Sequence, residues 1–121
     1  MSDLSAKRLG IFLTTAGVTH FVLPKPFDVI VPRSLPGSPR VWTHLSGIAE
    51  VTCGLAVLNP TTRRAGAIAS AALFLAVLPA NIKMARDWKD RARPLRAGAY
   101  ARLPLQLPLI GWALKVARDA G

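Results

Sequence analysis

The chain has 121 residues, enough for one domain and hardly for two, and it joins 51% hydrophobic residues to a formal charge of +10 and a pI of about 11.4. So basic a chain ordinarily points to nucleic acid, but here the placement of the charges excludes that partner. A single cysteine, Cys53, excludes an intramolecular disulfide, a CxxC redox pair and a zinc cluster, and leaves Cys53 as a small packing residue.

All sixteen Lys and Arg fall in five places: Lys7 and Arg8; Lys25, Arg33 and Arg40; Arg63 and Arg64; Lys83 to Arg102; Lys115 and Arg118. Four apolar runs lie between them, and Glu50 is the only acid inside any run. Basic flanks around uncharged runs are a membrane pattern, whereas a soluble bundle needs a charged outer stripe on each helix. The expected fold is therefore all-α: an integral membrane four-helix transmembrane bundle, one domain over residues 1–121. Its helices are expected at about 4–24, 40–58, 62–86 and 102–118, with a proline-rich interfacial loop between the first two.

The first run, 9–23, has basic residues before it, but no small-x-small cleavage pattern after it, so it does not read as a cleavable signal peptide. An oily segment follows, in which Phe27, Val29, Ile30, Val31 and Leu35 alternate with Pro24, Pro26, Pro32, Pro36 and Pro39. The prolines forbid a regular helix, and irregular backbone cannot face lipid tails. The segment reads as a lid at one membrane face, marked by Pro24, Phe27, Ile30 and Pro32. The second run, 41–58, carries His44, Ser46 and Glu50. Asn59-Pro60-Thr61-Thr62 then stops one helix and caps the next, making the second and third helices antiparallel neighbours.

The third run, 65–82, has no charged residue and covers about 27 Å at about 1.5 Å per residue, close to a bilayer core of about 30 Å. Ala65, Ala69, Ala72, Ala76 and Ala80 recur along it, a spacing that lets helices approach closely in lipid, either inside the bundle or at a homo-oligomer face. Residues 85–101 are polar and basic and read as a loop in the headgroup layer. The fourth run, 103–116, closes the bundle.

Antiparallel helices bring one set of polar residues to the lid end: His20, His44, Ser46, Asn81, Arg102 and Gln106, with Glu50 deeper. The opposite end carries no comparable set. Pro79 cannot donate to the Leu75 carbonyl, nor Pro108 to that of Pro104, so free carbonyls are expected near the cluster. Glu50 should pair with His20 or Arg102, with Asn81 and Gln106 completing the hydrogen bonds. Such a cluster can be a structural knot, the floor of a small-molecule pocket, or a haem site through His20 and His44. A metal site is disfavoured, because His44 and Glu50 point about 120° apart on their helix.

The blocks HFVLPKPFDVIVPRSLP, SGIAEVTCGLAVLNPTTRRAG, LPANIKMA and RLPLQLPLIGWAL, in this order, resemble the DoxX-like family of small bacterial four-helix membrane proteins over nearly the whole chain. The resemblance implies a four-helix transmembrane bundle in the cell inner (plasma) membrane and a quinone-linked redox role. The family's recurrent positions fall on His20, Pro24, Phe27, Pro32, Gly47, Glu50, Pro79, Asn81, Arg102, Pro104 and Gln106. His44 lies outside that pattern, which weakens haem ligation. Two functions follow as expectations: binding of a quinone or other lipid-soluble molecule beneath the lid, or a non-catalytic accessory subunit of a larger membrane complex, with membrane lipids as partners in both. No catalytic motif is recognised, which leaves enzymatic activity undecided. By charge count, six Lys and Arg flank the chain ends and second loop, against ten in the first and third loops, which favours a cytoplasmic lid.

Overall fold

The computed structural model describes residues 2–29, 31, 35–87 and 93–120. It is all-helical, with no strand among the described residues: α1 (Ser2–Val22), α2 (Lys25–Asp28), α3 (Pro39–Leu58), α4 (Arg63–Asp87) and α5 (Arg93–Ala120).

Local chemistry sets these limits. α1 has Asp3 in its first turn, where an anion meets the positive end of the helix dipole, and it stops at Val22, because Pro24 disfavours helical backbone at residue 23. The expected boundary at 24 is thus two residues too long. The lid was expected to contain no regular helix, yet it forms one turn, α2, in which Phe27 and Asp28 both donate to the Pro24 carbonyl. Pro26 is tolerated there because the first turn needs no backbone N–H at that position. Gly37, with φ of 81°, turns the chain into α3, whose first residue is Pro39. The larger correction is α5. The segment read as a polar loop over 85–101 is helical from Arg93 onward. Polarity does not break a helix, and Pro94 sits in the opening turn, where proline is compatible with helix. Pro79 lies inside α4, and Pro104 and Pro108 lie inside α5.

The long helices pack chiefly as two pairs, α1 with α3 and α4 with α5, joined through α3 and α4. The α1–α3 contact is an antiparallel seam of glycines. A Cβ on Gly10 would lie 2.9 Å from the Gly54 carbonyl, and one on Gly54 would lie 2.8 Å from that of Gly10 and strike the Thr14 hydroxyl. Gly17 and Gly47 repeat the arrangement one heptad away, each Cβ position within 3.0 Å of the other's carbonyl oxygen. Of the two places open to the α4 alanines, the bundle interior is not the one they fill: Ala65, Ala69, Ala72 and Ala76 are exposed, while Ala67 and Ala71 enter the core, and the Ala80 side chain lies outside the described residues.

The apolar core occupies the end opposite the lid: Ala6, Leu9 and Leu13 of α1, Cys53 and Val57 of α3, Ala67, Ala71 and Phe74 of α4, and Ala113, Val116 and Ala117 of α5. The outside is apolar too. Exposed large side chains recur every seven residues as Ile11 and Val18, as Val41, Ile48 and Leu55, as Ile68, Leu75 and Ile82, and as Leu107 and Leu114. A water-facing helix would put charge on this stripe. Two helices, over Pro39–Leu58 and Arg63–Lys83, are long and apolar enough to cross a membrane, and only 28% and 35% of these windows are buried in the bundle. The core helix of a soluble protein would be buried over most of its length.

Candidate functional site

The lid end is built around His20 in the last turn of α1. The close α1–α3 seam places it: any side chain at Gly47 would come within 2.9 Å of the His20 Cβ, so the missing side chain is what lets His20 lie against α3. Its Nδ1 is 2.6 Å from the Ala16 carbonyl oxygen and 3.1 Å from Glu50 Oε2. Both neighbours are acceptors, so Nδ1 carries a proton. The His20 side chain is 9% exposed and that of Glu50 16%, so the pair is screened from solvent even though Glu50 is not fully enclosed. Phe27 of α2 lies flat on the imidazole, with ring centroids 3.8 Å apart and planes 19° from parallel. His44 stacks on Phe21 at 4.9 Å, on the neighbouring turn. The arrangement sets a carboxylate at ion-pair distance from an imidazole whose N–H is held by the Ala16 carbonyl, under an aromatic cover.

α2 is fastened down by contacts that the sequence alone did not suggest. The Thr43 hydroxyl donates to Asp28 Oδ1 at 2.6 Å, and Arg40 Nε donates to Oδ2 at 2.9 Å. The Thr43 hydrogen bond first, and then Arg40, hold the Asp28 carboxyl below the usual carboxylate range against a partial desolvation. Trp42 Nε1 donates to the Pro36 carbonyl at 2.7 Å and ties down the far side of the lid. The available signal was that Asp28 is the only acid between Asp3 and Glu50, with Lys25, Arg33 and Arg40 around it. Pro24 and Phe27 are partly buried; Ile30 and Pro32 lie outside the described residues.

The other expected site residues divide. Gln106 is buried, and its Nε2 donates to the Phe74 carbonyl at 2.8 Å, one residue before the Leu75 carbonyl that Pro79 leaves without its usual donor. Asn81 is fully buried, and neither its Oδ1 nor its Nδ2 has a hydrogen-bond partner among the described residues. Ser46 is partly buried and makes no hydrogen bond to a described residue. Arg102 lies within α5, with its side chain outside the described residues.

The opposite end is not devoid of buried polar groups, contrary to the expectation from sequence. Arg63 is 8% exposed; its Nε donates to the Val57 carbonyl at 2.9 Å, Nη2 to that of Leu58 at 3.3 Å and Nη1 to Asp3 Oδ1 at 3.1 Å. The backbone N–H of Asn59 reaches the Leu55 carbonyl and the Thr62 hydroxyl that of Ala56. All four terminal carbonyls of α3 are thereby satisfied, which explains why a buried guanidinium is stable there. The sequence hid this because an arginine beside an apolar run reads as a headgroup flank. Trp112 Nε1 donates to Ser5 Oγ at 2.9 Å and joins α5 to α1 at the same end.

No curated protein and no solved structure matches the chain. One family does, described as Domain of unknown function (DUF8561), and it covers residues 9–117. That span takes in α2, α3 and α4 whole and most of α1 and α5, so both ends of the bundle lie inside it, and the chain belongs to this family.

Proposed function

We propose that this protein is a multi-pass protein of the plasma membrane, with its four long helices spanning the bilayer, that binds a quinone or another lipid-soluble molecule at its lid end in a redox-linked role with a partner protein. One observation carries the reading: a His20–Glu50 pair is covered by an aromatic lid residue in a bundle whose outward stripes are apolar. Ionisable groups at membrane depth are costly and mark functional sites. The resemblance to DoxX-like proteins supports the choice of a quinone.

The test is the composition of protein purified in mild detergent from its own membranes. Solvent extraction followed by chromatography should recover a quinone in stoichiometric amount from the native chain and little from Glu50→Gln, a change that keeps the shape and removes the charge. Extracts without any lipophilic ligand would overturn the reading.

A second reading has its own observation. Ala65, Ala69, Ala72 and Ala76 form an exposed small-residue face on α4, suited to close helix packing in lipid, either against a larger membrane complex as an accessory subunit or against a second copy. A stoichiometric protein partner in ligand-free material would favour it.

A further inference from the structure

The bundle buries two side-chain amides near the lid end, and they differ in one respect. Gln106 is 7% exposed and spends its N–H on the Phe74 carbonyl. Asn81 is 0% exposed, yet its Nδ2 and its Oδ1 both lack a partner among the described residues. Gln106 thus adds a donor to the turn of α4 beside the Leu75 carbonyl that Pro79 leaves without its usual partner. Asn81, seven residues beyond Phe74 and about 10 Å further toward the lid, bonds no described residue. Buried amide groups are ordinarily satisfied, and one left unsatisfied weakens the fold.

We infer that Asn81 is the recognition residue of the lid-end site, and that it selects a neutral head group able both to donate and to accept a hydrogen bond, of the phenol or hydroquinone class, over one that only accepts. The inference rests on the proposed binding of a lipid-soluble molecule and says which chemical form is bound. A primary amide offers two N–H donors and a carbonyl acceptor, without charge. A hydroxyl can engage both sides. A quinone carbonyl or an ether oxygen engages the N–H and leaves Asn81 Oδ1 buried without a donor, the situation in which sites reject analogues most strongly. For a redox couple, the reduced form is then the one held. A tenfold preference corresponds to a midpoint raised by about 30 mV for two electrons.

The experiment uses three probes on one skeleton, kept anaerobic: decyl-hydroquinone, decyl-benzoquinone and the hydroquinone dimethyl ether. Binding is measured to the full chain in detergent and to Asn81→Leu. The hydroquinone should bind at least about tenfold more tightly than either of the others, and the difference should vanish in Asn81→Leu. Ligand-free Asn81→Leu should also melt higher than the native chain by about 2 °C or more, because the unsatisfied amide is gone. A merely structural Asn81 would move the melting temperature the other way. Equal affinity for all three probes, or a preference that survives Asn81→Leu, overturns the assignment to Asn81 while leaving lipid-soluble ligand binding in place. Failure of every probe to bind removes both. If Asn81→Leu proves unfolded, Asn81→Ser, which keeps a donor and an acceptor in a shorter reach, must retain part of the preference or the inference falls.

Discussion

At the end holding the chain termini, Arg63 closes the last carbonyls of α3, Trp112 bonds Ser5, and eleven buried apolar residues fill the space between the helices. At the lid end, the buried polar side chains among the described residues are His20, Thr43, Asn81 and Gln106, and the cover is a helix of a single turn. The same four helices thus carry a half filled mainly with apolar side chains and a half whose buried side chains are mainly polar, under a small cap. Apolar packing and candidate chemistry are kept apart along the bundle axis, so each end should be open to perturbation without dismantling the other.

The sharpest way to break that division is Arg63→Met. It strips hydrogen bonds from two terminal carbonyls of α3 in a buried site and should cost about 3–5 kcal/mol. Asp3→Ala, removing a partner that is 80% exposed, should cost less than about 1 kcal/mol. Cys53, the only cysteine and buried, supplies the readout, since a maleimide dye reaches it only on unfolding. Equal losses from the two variants would show that the clamp is an ordinary surface pair.

Next in size is the glycine seam. Gly54→Ala drives a methyl into Thr14 and the backbone of Gly10 and should cost about 1–3 kcal/mol by the same Cys53 labelling readout. Gly111→Ala, with nothing within 4 Å of the new methyl, should instead stabilise the helix by about 0.5–1 kcal/mol. Opposite signs are required; a loss at both positions would mean that the seam is not what limits approach.

Phe27→Ala tests the lid. It removes the ring stacked on His20 and should cost about 1 kcal/mol while leaving the terminal half intact. A loss as large as that of Arg63→Met would contradict the independence of the two ends.

The smallest effect is the pH response of the lid fastening. Asp28 is held below the usual carboxylate range in the folded chain, so its contribution is present above that range and is lost as pH falls through the lowered folded value. The indole N–H resonance of Trp42 should therefore stay fixed through the ordinary carboxylate range and move only below it. In Asp28→Asn the acid transition should be absent, and its persistence would place the titrating group elsewhere.

Much of this architecture is legible from residue order. Charge placement marks the long helices, Asn59-Pro60 marks the turn between α3 and α4, and the prolines mark the lid. His20 and Glu50 fall near each other as soon as α1 and α3 are set antiparallel. What stays hidden depends on partners. Asn81 and Gln106 are chemically alike in a string of letters, and only the fold shows that Gln106 bonds a carbonyl and that Asn81 bonds no described residue. Arg63 looks like any flanking arginine until α3 ends beside it. The start of α5 is hidden because a polar, basic stretch reads as a loop, although nothing from Leu95 to Leu103 stops a helix.

The glycine seam is also a vernier with an ambiguous scale. Gly10 and Gly17 are seven residues apart, as are Gly47 and Gly54, so α3 can slide past α1 by one heptad, about 10 Å, and still bring one glycine pair into match. Small residues alone therefore permit more than one alignment of the two helices. Asp28 removes the ambiguity, because its carboxylate reaches Thr43 and Arg40 from a helix tethered two residues after α1 ends. The cap that covers His20 is thereby also the stop that tells two slippery helices where to halt.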